Sequence, residues 1–115
     1  MKLGKCQVCL KVKDLATSMK FYGQLGFTRI GGKPEHGWCL MHHGDCVIGL
    51  YVKDLPRNLL TFRGGDVFGI EKDLKAIGIS FRRPAHYGPD GSAAAMLEDP
   101  DGNLIFLNTA PGETY

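Results

Sequence analysis

The sequence predicts an α+β fold made of two tandem βαβββ modules, and three observations predict it. The chain repeats itself at an offset of 52 residues: Asp14 matches Asp66, Leu15 matches Val67, Lys20 matches Lys72, Leu25 matches Ile77 and Gly26 matches Gly78. Within each copy, one helix-type apolar spacing is followed by short alternating stretches of strand type. Between the copies, Asp54–Asn58 carries Pro56 and has the composition of a linker. The 115 residues therefore form a single domain, 1–115, with module one at 5–53, a linker at 54–58 and module two at 59–110.

Each element has a local reason. Residues 6–12 alternate, with Cys6, Val8, Leu10 and Val12 on one face and Gln7, Cys9 and Lys11 on the other. Asp14 is a helix N-cap, because its carboxylate can accept from the free N–H groups of the first turn. Leu15, Met19, Tyr22 and Leu25 follow on one helical face, and Gly26 ends the helix. Phe27–Ile30 is extended, and Gly31-Gly32-Lys33-Pro34 reads as a loop. Trp38–Met41 and Cys46–Val52 are strands around the hairpin signal His42-His43-Gly44-Asp45. Module two repeats the plan. Leu59–Arg63 is strand-like, Asp66 is an N-cap, and Val67, Ile70, Leu74 and Ile77 share a helical face closed by Gly78. Ile79–Arg82 is extended, and Pro84–Ser92 reads as a long loop. Ala93–Glu98 and Leu104–Asn108 are the last strands, joined by the turn residues Asp99-Pro100-Asp101-Gly102.

Composition narrows the function. Fourteen basic against twelve acidic side chains, a net charge of +2, argue against a nucleic-acid surface. No apolar run reaches the ~20 residues of a membrane span, and the N-terminus lacks the pattern of a signal peptide. A cytoplasmic protein with reduced Cys6, Cys9, Cys39 and Cys46 is the expectation. Cys6 and Cys9, three apart in a strand, point to opposite faces and cannot chelate one ion. Cys39, His42, His43 and Cys46 span a hairpin as C-x-x-H-H-x-x-C, the better zinc candidate, although the spacing matches no common finger. His36 and His86 fall in loops. The chain has neither a Gly-x-Ser-x-Gly elbow nor a phosphate-cradling glycine loop.

The stretches Leu10-Lys11-Val12-Lys13-Asp14-Leu15, Phe21-Tyr22, Leu25-Gly26-Phe27, Leu74-Lys75-Ala76-Ile77-Gly78-Ile79 and Asp99-Pro100-Asp101-Gly102-Asn103 carry a resemblance over about residues 5–108. In them the chain resembles the vicinal oxygen chelate superfamily. That group includes glyoxalase I, extradiol dioxygenases, methylmalonyl-CoA epimerase and the bleomycin- and fosfomycin-resistance proteins. The resemblance implies a concave mixed sheet with helices on the outer face, a ligand on the helix-free face, and a homodimer. It also implies four metal-ligand positions on strands, which fall on Gln7, Gly49, Leu59 and Phe106. Only Gln7 has a ligand side chain of a type used there, so neither a metal nor another cofactor is expected.

By alternation, Gln7, Cys9, Lys11, Gly49, Tyr51, Leu59, Thr61, Arg63, Phe106 and Asn108 face the ligand, with Trp38 and His86 as further candidates. Gly49 is expected to leave room for a flat group. Lys11 and Arg63, with no acidic residue on that face, favour a neutral or anionic ligand. The expected function is metal-free binding of a small molecule, a metabolite or a drug. The alternatives are a glyoxalase-, epimerase- or dioxygenase-like enzyme with a non-standard site, using Cys9, Tyr51 or His86 as acid or base, and an interaction domain with a filled cavity.

Overall fold

The structure, a computed structural model, describes residues 1–113. It contains eight strands, two α-helices and a single 3-10 turn. The fold class matches the sequence reading: α+β, in two βαβββ copies. The chain divides into two compact units. One is Gln7–Asn58, and the other joins Met1–Cys6 to the chain from Leu59 onward.

The first copy runs β1 (Gly4–Lys11), α1 (Leu15–Gln24), β2 (Thr28–Lys33), β3 (Trp38–His43) and β4 (Cys46–Tyr51). Its strands lie in the order β2-β3-β4-β1. The β1/β4 pair is parallel, with Cys9 opposite Gly49, and the other pairs are antiparallel. The second copy runs β5 (Leu59–Gly64), α2 (Val67–Ala76), β6 (Arg83–Tyr87), β7 (Ala93–Glu98) and β8 (Leu104–Thr109), in the order β5-β8-β7-β6. Here β5/β8 is the parallel pair, with Thr61 opposite Phe106. The repeat is therefore one of register as well as sequence. Trp38 faces Tyr51 across β3/β4, as Ala94 faces Asn108 across β7/β8.

Both helices begin and end by the same chemistry. The carboxylates of Asp14 and Asp66 accept from the backbone N–H of Thr17 and Gly69, at 3.0 and 3.1 Å. At the other end, the N–H of Phe27 bonds to the Tyr22 carbonyl and that of Gly26 to the Gly23 carbonyl. Ile79 and Gly78 repeat this on Leu74 and Lys75. These are Schellman motifs, in which a left-handed glycine lets the chain fold back onto the last carbonyls. Each helix covers one face of the strands of its own copy. Leu15 packs with Cys39, Met41, Ile48 and Leu50 in one core. Val67 and Ile70 pack with Ala95, Leu97 and Leu107 in the other.

Two expectations need correction. Ile79–Arg82 is not a strand, because the Ile79 N–H is committed to the helix cap; the strand is Arg83–Tyr87, all but its first residue inside the segment read as a long loop. Gly31-Gly32-Lys33 is not a loop but the end of β2, paired with Leu40, Cys39 and Trp38 after a bulge that extrudes Ile30. Without a side chain, Gly32 lets β2 approach β3; a Cβ there would lie 2.4 Å from Cα of Cys39. The two edge strands carry side-chain bonds on their backbones. Arg29 donates to the carbonyls of Gly31 and Gly32, and Glu71 accepts from the N–H of Ala85 at 2.6 Å. No helix among the described residues is long and apolar enough to cross a membrane.

Candidate functional site

In the Gln7–Asn58 unit, Val8, Leu10 and Val12 pack toward α1, so Gln7, Cys9 and Lys11 project from the helix-free face, as alternation requires. Gln7 and Cys9 are nevertheless buried, and Lys11 is exposed. The side-chain amide of Gln7 donates to Sγ of Cys9 at 3.6 Å. On the same face Gly49 is buried, and Tyr51 and Trp38 stack with ring centroids 5.8 Å apart and planes 5° from parallel.

Gly49 does not leave open room. A Cβ at this position would lie 2.8 Å from Cε1 of Tyr51, and 3.3 Å from both Nε2 of Gln7 and Cδ2 of Leu40. The aromatic ring covers the glycine, so the expected space for a flat group is taken by the protein's own tyrosine. An aromatic wall, Trp38 with Tyr51, is what this face offers instead.

In the other unit, Phe62 packs toward α2, and Leu59, Thr61 and Arg63 project oppositely. Leu59 and Thr61 are buried, and Phe106 and Asn108 are half-buried beside them on β8. Arg63 has an acidic partner from outside the strands. Nε of Arg63 donates to Oε2 of Glu113 at 3.1 Å, and Nη2 donates to Oε1 at 3.4 Å. Glu113 lies beyond the end assigned to module two, on a turn closed by the Glu113 N–H on the Ala110 carbonyl. The Ala110-Pro111-Gly112-Glu113 pattern was the available signal, since proline followed by glycine is the preferred centre of a type II turn.

His86 sits on β6, not in a loop, with Nδ1 3.0 Å from the Pro84 carbonyl. Cys39 is fully buried in the core, Cys46 is exposed, His42 turns back onto the Gly44 carbonyl, and the His43 ring packs on Phe27. The zinc arrangement across this hairpin does not form. No three His, Cys, Asp or Glu side chains among the described residues converge as a metal site. Burial pushes the Cys39 thiol pKa up, against a smaller opposing influence of Arg29. Asp14, Asp90 and Asp99 are held below the usual carboxylate range by the hydrogen bonds they accept from Thr17, Ser92 and Asn103. All three are turn or cap groups, which marks them as structural.

Two recesses lie away from these residues. One of about 330 Å³ is bounded by Gly64, Asp66, Phe68, Tyr87, Pro111 and Glu113. A second, of about 350 Å³, is bounded by Lys2, Asp66 and Asp73 among others. Both flank the start of α2, and no ligand-facing residue read from the sequence lines either one.

Residues 6–107 match the family model described as Glyoxalase/Bleomycin resistance protein/Dioxygenase superfamily. The chain belongs to this superfamily. Among solved structures, the fold is similar to a protein described as NAD-dependent benzaldehyde dehydrogenase from Legionella pneumophila (TM-score 0.74, 19% identity, 91% of this chain and 98% of that one). A glyoxalase/bleomycin resistance protein/dioxygenase superfamily member from Vibrio splendidus 12B01 is similar at TM-score 0.69 and 16% identity, over 92% and 97% of the two chains. Methylmalonyl-CoA epimerase from Mycobacterium tuberculosis is similar at 0.61 and 17%, over 93% and 86%. At these identities the likeness is one of fold. No curated protein matches the sequence.

The superfamily resemblance implies a metal centre, and the donor set here does not fit one. Gln7 brings a neutral amide, Gly49 brings no side chain, and Leu59 and Phe106 bring only carbon. Divalent ions are held by several converging oxygen, nitrogen or sulfur donors, usually with charged groups among them.

Proposed function

We propose that this glyoxalase/bleomycin-resistance-type protein binds a small neutral or anionic molecule without a metal ion, in the cytoplasm and as a homodimer. The observation that carries the reading is the state of the four ligand positions. A single amide replaces a charged donor set, and the Tyr51 ring covers the glycine where a carboxylate would stand. The stacked Trp38–Tyr51 pair supports binding of a molecule with an apolar, partly aromatic body. Four free cysteines fit a reducing compartment.

The test is a thermal-shift screen of small metabolites and drugs, run with and without chelator. A ligand stabilises the folded protein by RT ln(1 + [L]/Kd), and the resulting rise in Tm should survive chelation. A large rise on adding Mn, Fe, Ni or Zn, abolished by Gln7→Ala, overturns the reading. A sedimentation mass near 12.6 kDa at micromolar concentration overturns the dimer.

A further inference from the structure

A carboxylate is already seated on Arg63, and it is the protein's own. We infer that Arg63 is a carboxylate-binding subsite held shut by Glu113, and that a ligand's carboxylate enters by displacing that side chain. The inference rests on the helix-free face being the ligand face.

Four features argue for it. The contact is two-pronged, 3.1 and 3.4 Å, the geometry in which a guanidinium recognises a carboxylate. Arg63 is on the face opposite Phe62, with a third of its side chain exposed (31%), so it is reachable once Glu113 leaves. Asn108 lies directly across from Arg63 on β8, projecting the same way, and its amide makes no hydrogen bond among the described residues. It is a second donor for an incoming oxygen. Finally, Glu113 is carried by a short turn whose Gly112 has φ 76°, with the Glu113 N–H on the Ala110 carbonyl and the Ala110 N–H on Oε1, and its side chain keeps 12% exposure at the edge of the pair. A tether this short gives Glu113 a high effective concentration at Arg63, so a free carboxylate must outcompete it.

The probe is benzoate, with benzamide as its uncharged counterpart. Both are titrated into wild type, Glu113→Gln and Arg63→Gln, following the Arg63 Nε–H resonance and the dissociation constant. Glu113→Gln keeps an oxygen for the Ala110 N–H, so the turn is retained. The expected result is that Glu113→Gln binds benzoate roughly tenfold more tightly than wild type. Benzamide should bind both alike, and Arg63→Gln should lose the benzoate preference. In wild type, saturating benzoate should shift the Arg63 Nε–H signal. Equal benzoate affinities in wild type and Glu113→Gln, or no benzoate binding by Glu113→Gln, overturn the inference. A ligand from the thermal screen that binds wild type and Glu113→Gln equally, with benzoate indifferent to the change, leaves metal-free binding standing and removes the latch.

Discussion

Alanine at Gly49 would put a methyl group 2.8 Å from the Tyr51 ring and 3.3 Å from Gln7 and Leu40. The backbone there is not left-handed, so the cost is purely one of space. The ring cannot simply swing away, because it is stacked on Trp38. Over-packing of this kind costs about 1–3 kcal/mol. An unfolding entropy of about 2.1 cal/mol/K per residue makes 1 kcal/mol worth roughly 4 °C in a chain of this length. Gly49→Ala should therefore lower Tm by about 4–12 °C on the same basis. Trp38 is the only tryptophan, so its fluorescence and near-ultraviolet dichroism report the stack directly. Gly23→Ala is the matched control, since nothing lies within 4 Å of a Cβ in that helical position. It should raise stability by about 0.5–1 kcal/mol. A Gly49→Ala protein with wild-type Tm and an unchanged Trp38 spectrum would refute the claim that Tyr51 fills this position.

The remaining predictions concern caps, acid and thiols. Asp14→Ala and Asp66→Ala should each cost about 1 kcal/mol, read as a Tm loss in thermal denaturation, because each strands a first-turn N–H. Asp14, Asp90 and Asp99 have depressed pKa values in the folded protein, so their stabilisation is fully present above the unfolded value of 3.8. It is lost as pH falls through the lower folded values; Tm should begin to fall below about pH 4, and Asp99→Ala should flatten that slope. Ellman titration of the native protein should find Cys6 and Cys46 reacting quickly and Cys9 and Cys39 slowly, with all four equal only after unfolding.

What the sequence made legible were features encoded within one or two turns. Asp14, Gly26, Asp66 and Gly78 state the helix limits locally, and their common offset states the repeat. The face occupied by Gln7 and Cys9 followed from a period of two. What it hid depends on contacts between distant residues. The Ile79 N–H could serve a strand or a helix cap, and only the cap bond decides. Gly49 reads as empty space until Tyr51, two residues on, is seen to lie over it. Glu113 is fifty residues from Arg63, and no periodicity links them. The signal that could have been read was the Pro111-Gly112 turn that returns the chain.

The side-chain bonds on the two edge strands bear on how copies of this protein can meet. A sheet edge recruits another strand through its unsatisfied backbone groups. On β2, Ile30 is bulged out and Arg29 has claimed two successive carbonyls. On β6, Pro84 has no N–H to give and the N–H of Ala85 is held by Glu71. Each edge is thus spoiled as a template at adjacent positions, one on its acceptors and the other on its donors. At these positions neither strand offers the free backbone groups that open-ended strand addition, the route to fibrils, requires.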